Sequence, residues 1–212
     1  MLLHETYIGK TIARTLFNLE ISKHIKNVGG VMVDLGGGKN PSYERFWQIR
    51  PEKFIRVDIN EKAEPDVLAN LNNPLPFEDN FADTIFLLSV IYILEDPVKT
   101  LREINRMLKP GGKLFMTSPF IFNEAKEPSD YWRFTSEGLE KILNEAGFSE
   151  YIIKAVGERF SAAAYLTTPF LIFWPVKFIF YMLAVGLDNI IPKKLTLKQP
   201  CPIGYFIEVK KI

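Results

Sequence analysis

Cysteine and histidine are nearly missing from this chain. Cys201 is the only cysteine in 212 residues, so no disulfide can close within the chain. A lone thiol suits a reducing compartment. His4 and His24 are the only histidines, so a structural zinc site is not expected and no metal ligand is assigned. A surplus of one charge sign is missing too. The net charge is +1, which gives no broad basic footprint, and no nucleic-acid partner is expected on that ground. Repeats and low-complexity tracts are absent. The N-terminus lacks the uninterrupted apolar core of a secretory signal, because His4, Glu5, Lys10 and Arg14 break it. A cytoplasmic location is expected.

What is present reads as an ordinary folded protein, with 47% hydrophobic and 24% charged residues. The length suits one domain over residues 1–212, with an N-terminal helix inside residues 1–30. Ile8, Ile12, Leu16 and Leu19 recur at helical spacing, which predicts an amphipathic helix over 5–27 ended by Gly29-Gly30. Pro41 to Trp47 could begin another. Short apolar strands are predicted at 31–35, 54–57, 67–69, 83–89, 113–117, 151–153 and 205–209. Asp96-Pro97 reads as an N-cap with proline at the first helical position. Val98, Leu101, Ile104 and Leu108 form that helix's buried face, and Pro110-Gly111-Gly112 stops it. Thr135 or Ser136 caps a further helix with the stripe Leu139, Ile142, Leu143 and Ala146, closed by Gly147. Strands alternating with helices imply an α/β fold, a parallel sheet covered on both faces. Such sheets bind ligands at the carboxyl ends of their strands.

Gly36, Gly37 and Gly38 stand there, directly after the first strand. A phosphate, a dinucleotide or S-adenosylmethionine could use such a loop. The phosphate loop fails on spacing: Gly38-Lys39 is followed by Asn40, and Val33 replaces the first glycine. A dinucleotide loop fits better, but Pro41 occupies the third glycine position. Asp58 ends the second strand, 20 residues after Gly38, where a carboxylate can accept from both ribose hydroxyls. A tight turn and a solvated acid account for each feature singly. Together they point to an adenosine-type cofactor without saying which.

From Val31 to Phe148 the chain resembles the class I methyltransferase superfamily, in particular its small "methyltransferase type 11" domains. The residues that carry this are Val31 to Gly38 (VMVDLGGG), Arg56 to Ile59 (RVDI), Leu75 to Asp79 (LPFED) with Phe81-Ala82-Asp83, Leu108 to Leu114 (LKPGGKL) and Glu145 to Phe148 (EAGF). The resemblance implies a Rossmann-like, doubly wound, mostly parallel seven-stranded sheet with an antiparallel last strand, and S-adenosyl-L-methionine as cofactor. It implies roles by position. Asp34 and Gly36, Gly37 and Gly38 would face the methionine part. Asp58 would hold the ribose, with Ile59 against the adenine. Asn70 and Leu71 fall where the family reads the adenine edge, and Ser89 lines the pocket after the fourth strand. Two departures stand out. Asn70 replaces a frequent Asp, so an adenine contact would lack the charge. Val90 to Glu95 contains no His where the family often has one, so no histidine proton acceptor is available there.

Asp130 to Thr135 (DYWRFT) resembles a subgroup linked to bacterial glycan and lipid-sugar pathways. Tyr131, Trp132 and Arg133 are therefore candidates for acceptor binding, with core packing of this loop as the alternative. Glu124, Asp130 and Tyr131 lie where an acceptor site is expected, but none has spacing that singles it out, and no catalytic residue is assigned. The reaction implied is methyl transfer to a small-molecule, glycan or lipid-like acceptor. A non-catalytic binding protein of the same fold and a nicotinamide-dependent oxidoreductase are the alternatives.

The segment 160–198 stands apart as an apolar helical insertion between the last two strands. Phe160 to Val176 and Phe178 to Leu187 hold no charge, and Lys177 alone separates them. Pro169 and Pro175 oppose one straight helix. The implied pairing of the strands around it excludes a single membrane crossing, and its length excludes two. Two readings follow. Two short helices cap the site, or a shallow hairpin over 160–191 makes a peripheral membrane contact with Lys177, Lys193, Lys194 and Lys198 near the headgroups.

Overall fold

The computed structural model describes the chain except for Met1, Asn27, Asn40 and residues 126–128. Asn27, the expected end of the N-terminal helix, and Asn40, which departs from a phosphate loop, lie outside the described residues. The strands are β1 (Val31–Leu35), β2 (Lys53–Asp58), β3 (Val67–Leu68), β4 (Ala82–Leu88), β5 (Leu108–Pro119), β6 (Glu150–Val156) and β7 (Gly204–Lys210). They form one seven-stranded sheet in the order β3-β2-β1-β4-β5-β7-β6. All pairs are parallel up to β5, and β7 runs antiparallel to both β5 and β6. This is the fold class expected from the sequence.

The helices are α1 (Leu2–Tyr7), α2 (Ile12–His24), α3 (Pro97–Met107), α4 (Ser136–Glu145), α5 (Arg159–Thr167), α6 (Trp174–Asp188) and α7 (Lys193–Lys198). The single helix expected over 5–27 is thus two. Gly9 takes a φ of +81°, outside any helix. Thr11 then starts α2 afresh, its side chain accepting from the Arg14 N–H at 3.2 Å. Pro41 to Trp47 holds only one 3-10 turn, Glu44–Phe46. Pro110-Gly111-Gly112 lies inside β5, not between helix and strand, because the Gly111 N–H and Gly112 carbonyl bond Lys211 beyond β7.

Alternate residues along each strand face opposite layers, as strand geometry requires. Val33, Leu35, Ile85, Leu87, Leu114, Met116 and Ile207 pack with Leu101 and Ile104 of α3 and Leu139 and Leu143 of α4. Their neighbours Met32, Phe86, Phe115 and Phe206 pack with Ile12, Phe17 and Ile21 of α2, Tyr165 of α5 and Tyr181 of α6. The second face is aromatic: Tyr43, Phe86, Phe115 and Phe206 follow one another at centroid distances of 5.0, 5.7 and 6.3 Å. Asp34 falls in the same alternation as Met32 and so sits on this second face.

Candidate active site

The carboxyl ends of β1, β2 and β4 open into one trough. Its larger part, about 730 Å³, runs from Asp58 and Ile59 past Asn70, Leu71 and Ser89 to Tyr92 and Tyr131. A smaller part, about 210 Å³, lies under α2 against Arg14, Asn18, Gly37, Tyr43 and Thr117. Both parts touch Gly36 and Ser89, so they meet at the tips of β1 and β4.

The glycine loop is required by geometry at two positions. Gly36 has a φ of +77°, and a Cβ there would stand 2.7 Å from a Val90 methyl. A Cβ on Gly37 would stand 1.5 Å from Asp34 Oδ2, so the Asp34 carboxyl is directed at this glycine. Asp34 is wholly buried, and neither of its oxygens has a hydrogen-bond partner of good geometry. Burial pushes its carboxyl up from 3.8 to about 7, against a smaller pull downward from the nearby Tyr43 hydroxyl. A buried, unsatisfied carboxyl beneath a bare glycine fits a cationic ligand group laid over the loop.

Asp58 is half-buried at the end of β2, and its Oδ1 accepts from the Asn60 N–H at 2.8 Å. That bond fixes the carboxylate at the trough. Ile59 is exposed beside it. Asn70 Oδ1 accepts the Asn72 N–H at 2.9 Å, while the Leu71 carbonyl accepts the Thr100 hydroxyl at 3.0 Å. Ser89 has a φ of +59°, an uncommon conformation for a side-chain-bearing residue. Thr117 holds it there: its hydroxyl oxygen accepts the Ser89 N–H at 2.8 Å. The structure therefore brings Gly36, Asp58, Ile59, Asn70, Leu71 and Ser89 to one cleft and Gly37 to the adjoining one. Gly38, with a φ of +65°, completes the turn without lining either part.

At the far end Tyr131 lines the trough. Trp132 and Arg133 are engaged in holding its loop. The Tyr131 and Trp132 N–H groups both donate to the Tyr92 carbonyl, at 2.9 and 3.1 Å, and Trp132 Nε1 donates to the Leu94 carbonyl at 2.8 Å. Arg133 pairs with Asp130 and lies 5.5 Å over the Tyr92 ring. Asp130 also accepts the Ala125 N–H at 2.9 Å, and Glu124 is exposed. Burial first, then the Asp130 charge, raises the Tyr92 hydroxyl above its usual 10.0. Among the described residues there is no cluster suited to a metal ion.

Arg14, Asn18, Tyr43 and Tyr92 were not singled out by sequence reasoning. The first two come from α2, which reaches the β1 loop only through tertiary packing. Tyr92 stands within the stretch noted for its missing His, and that position was the available signal.

Residues 33–116 match a family model described as a methyltransferase domain. A tRNA U34 carboxymethyltransferase of Campylobacter curvus is 28% identical over 163 residues, 66% of this chain and 54% of that protein. A ubiquinone/menaquinone biosynthesis C-methyltransferase of Vibrio cholerae is 32% identical over 149 residues, 60% of this chain and 57% of that protein. The chain spans little more than half the length of these relatives. In fold it is similar to a SAM-dependent methyltransferase from Archaeoglobus fulgidus, with a TM-score of 0.62 at 18% identity over 99% of this chain and 98% of the other. It is also similar to the [4+2]-cyclase SpnF, with a TM-score of 0.59 at 20% identity over 92% of this chain and 80% of the other. The matched sequence identifies residues 33–116 as a methyltransferase domain, and the sheet around it has the fold of the solved methyltransferase it is similar to.

Proposed function

We propose that this chain binds S-adenosylmethionine along the trough and transfers its methyl group to an acceptor held at the Tyr92–Tyr131 end. The observation that carries the reading is Asp34, a wholly buried carboxyl with only the Tyr43 hydroxyl close to it among the described residues, aimed at the bare backbone of Gly37. Asp34 answers the ammonium of the methionine part, and Arg14, lining the same recess, answers its carboxylate. Gly36, Gly37 and Gly38 keep side chains out of that approach. Asp58 accepts from the ribose hydroxyls, held in place by its bond to Asn60. Ile59 covers the adenine, and Asn70 and Leu71 meet its edge. The Asn70 oxygen already accepts within its own turn, so its amide NH₂ is the better-placed group. The Ser89 backbone closes the middle of the trough.

When bound, the cofactor supplies an electrophilic methyl on a sulfonium leaving group. The chain's own work is then alignment and exclusion of water. Residues of α2 roof the recess at Gly36 and Gly37, and the loop stapled by Asp130 and Arg133 presents Tyr131 to the acceptor. The raised Tyr92 hydroxyl keeps its proton at neutral pH, so it orients an acceptor and does not deprotonate one. The acceptor is a small molecule, a glycan or a lipid-linked group. One relative is named for a tRNA, so RNA is a separate arm of the test.

Calorimetry with S-adenosylhomocysteine and NADH tests the cofactor. Binding of the first and not the second is expected, and the reverse overturns the reading. Asp58→Ala removes charge-assisted bonds contributing on the order of 1.5–3 kcal/mol each, so affinity falls about tenfold or more. A second reading, cofactor binding without methyl transfer, is motivated by the likeness to a cyclase. Labelled methyl incorporation into lipid, glycan and RNA extracts separates the two.

A further inference from the structure

The outer face of α6 is apolar along its length. Val176, Ile179, Phe180, Leu183 and Leu187 follow helical spacing and are all exposed. The opposite stripe, through Tyr181 and Ala184, packs on α5 and α1. The turn before α6 adds Phe170, Ile172 and Phe173, which are 82, 93 and 66% exposed. From α1, Tyr7 stands edge-on to Trp174 at 5.3 Å, extending the patch. Monomeric soluble proteins rarely leave so much contiguous apolar surface to water.

Charge decides what covers it. No acid occurs between Phe160 and Leu187. Asp188 is turned inward, accepting the Glu158, Phe160 and Ser161 N–H groups at 3.1, 2.8 and 3.1 Å. The next charges along the chain are positive: half-buried Lys177 lies over the Tyr181 ring on the inner stripe, and exposed Lys194 and Lys198 stand on α7, which begins five residues after α6 ends. A second copy meeting this face about a two-fold axis would set these lysines against their own kind. A layer of anionic headgroups over acyl chains complements both the acid-free apolar stripe and the basic α7 that follows it in the chain. The paired rings of Trp174 and Tyr7 suit the boundary between them. With 15 residues α6 is about 22 Å long, short of a bilayer core of about 30 Å. No helix among the described residues is long and apolar enough to cross a membrane.

The patch is tied to the acceptor end of the trough. The chain leaves the sheet at Val156 and returns at Gly204, two residues in register with each other and with Pro119 at the end of β5. This is the edge that carries the site. Tyr165 of α5 stacks on Phe122 at 5.1 Å, and Phe122 lies 6.4 Å from Tyr92. We propose that the α6 face is a membrane-docking surface, lying in the headgroup–acyl boundary of an anionic bilayer with the Tyr92–Tyr131 mouth beside the lipid. The docking stands on its own. Its consequence, that the acceptor is an amphiphile taken from the bilayer, rests on the methyl-transfer reading.

Flotation of the full chain in detergent-free buffer tests this, with phosphatidylcholine vesicles and with phosphatidylcholine/phosphatidylglycerol vesicles. The chain should float with the anionic vesicles, and brominated lipids should quench its tryptophan fluorescence. Phe173→Asp with Phe180→Asp should reduce association about tenfold or more, and Lys194→Glu with Lys198→Glu should weaken it chiefly on anionic vesicles. Both double variants should bind S-adenosylhomocysteine like the parent, which confirms that they are folded. A parent that floats without binding S-adenosylhomocysteine supports docking and overturns the methyl-transfer reading alone. Absence of flotation with either vesicle overturns the docking. So does a dimer in sedimentation that the phenylalanine pair dissociates, which would identify the occupant as a second copy.

Discussion

Helices α3 and α6 both bury a narrow apolar stripe, yet they differ in what they show outward. α3 turns Leu101, Ile104 and Met107 to the core and exposes Lys99 and Arg102. α6 turns Tyr181 and Ala184 inward and exposes Val176, Ile179, Phe180, Leu183 and Leu187. Packing fixes the inward stripe in both. The outward face is free of that constraint, and water ordinarily makes it polar. The same contrast separates the two layers of the sheet. The layer of α3 and α4 closes an apolar core. The layer of α2, α5 and α6 carries buried Asp34, the recess under Arg14 and the exposed apolar helix.

The largest expected effect tests the quiet layer. Leu101→Ala removes a wholly buried side chain and should cost about 2–5 kcal/mol of stability in urea unfolding. Affinity for S-adenosylhomocysteine per folded molecule should not change. A loss of affinity as large as the loss of stability would show that the α3 layer also shapes the site.

Asp34 sharpens the contrast from the other layer. Its folded carboxyl titrates near 7 and its ordinary value is 3.8. The folded chain therefore holds this proton more tightly than the unfolded one. The stabilisation is complete below about pH 4 and is lost as pH rises through about 7. Asp34→Asn should leave stability at pH 4 nearly unchanged and raise it at pH 8 by on the order of 1–3 kcal/mol, while weakening cofactor binding. The parent's binding should strengthen as pH rises through about 7, because a cationic group favours the charged carboxylate. Calorimetry in buffers of different ionisation enthalpy would detect the released proton. Binding independent of pH between 6 and 8 would place the cofactor's ammonium elsewhere.

The strand ends were legible because each is a short continuous stretch: an apolar run, then glycines at Gly36 to Gly38, or an acid at Asp58. The parallel sheet and its covered faces followed from the alternation of strands and helices, and the antiparallel last strand from the family resemblance. The N-terminal helix was misjudged because its spacing survives across Gly9, whose backbone breaks the helix while the apolar pattern continues. The Pro110-Gly111-Gly112 turn looked like a stop because its partner, Lys211, is about a hundred residues away. Arg14 was illegible for the same reason, since only the packing of α2 against the β1 loop brings it to Gly37. Tyr43 is six residues from Gly37, but nothing in its sequence surroundings marks it as turned into the recess and not simply packed in the core.

The smallest expected effect bears on the outward face itself. Leu183 is the same residue type as Leu101, in a helix of similar regularity, but it is 59% exposed. Leu183→Ser should therefore change stability by only about 0.5 kcal/mol or less, since little area is withdrawn from water in the folded chain. A substitution so nearly neutral for folding isolates whatever else the face does. With Ile179→Ser added, the chain should be more soluble in detergent-free buffer and should float less with anionic vesicles, while urea unfolding stays close to the parent's. A pair of changes costing several kcal/mol instead would mean that the outer stripe of α6 is buried against protein in solution, and the two helices would then differ in partner and not in kind.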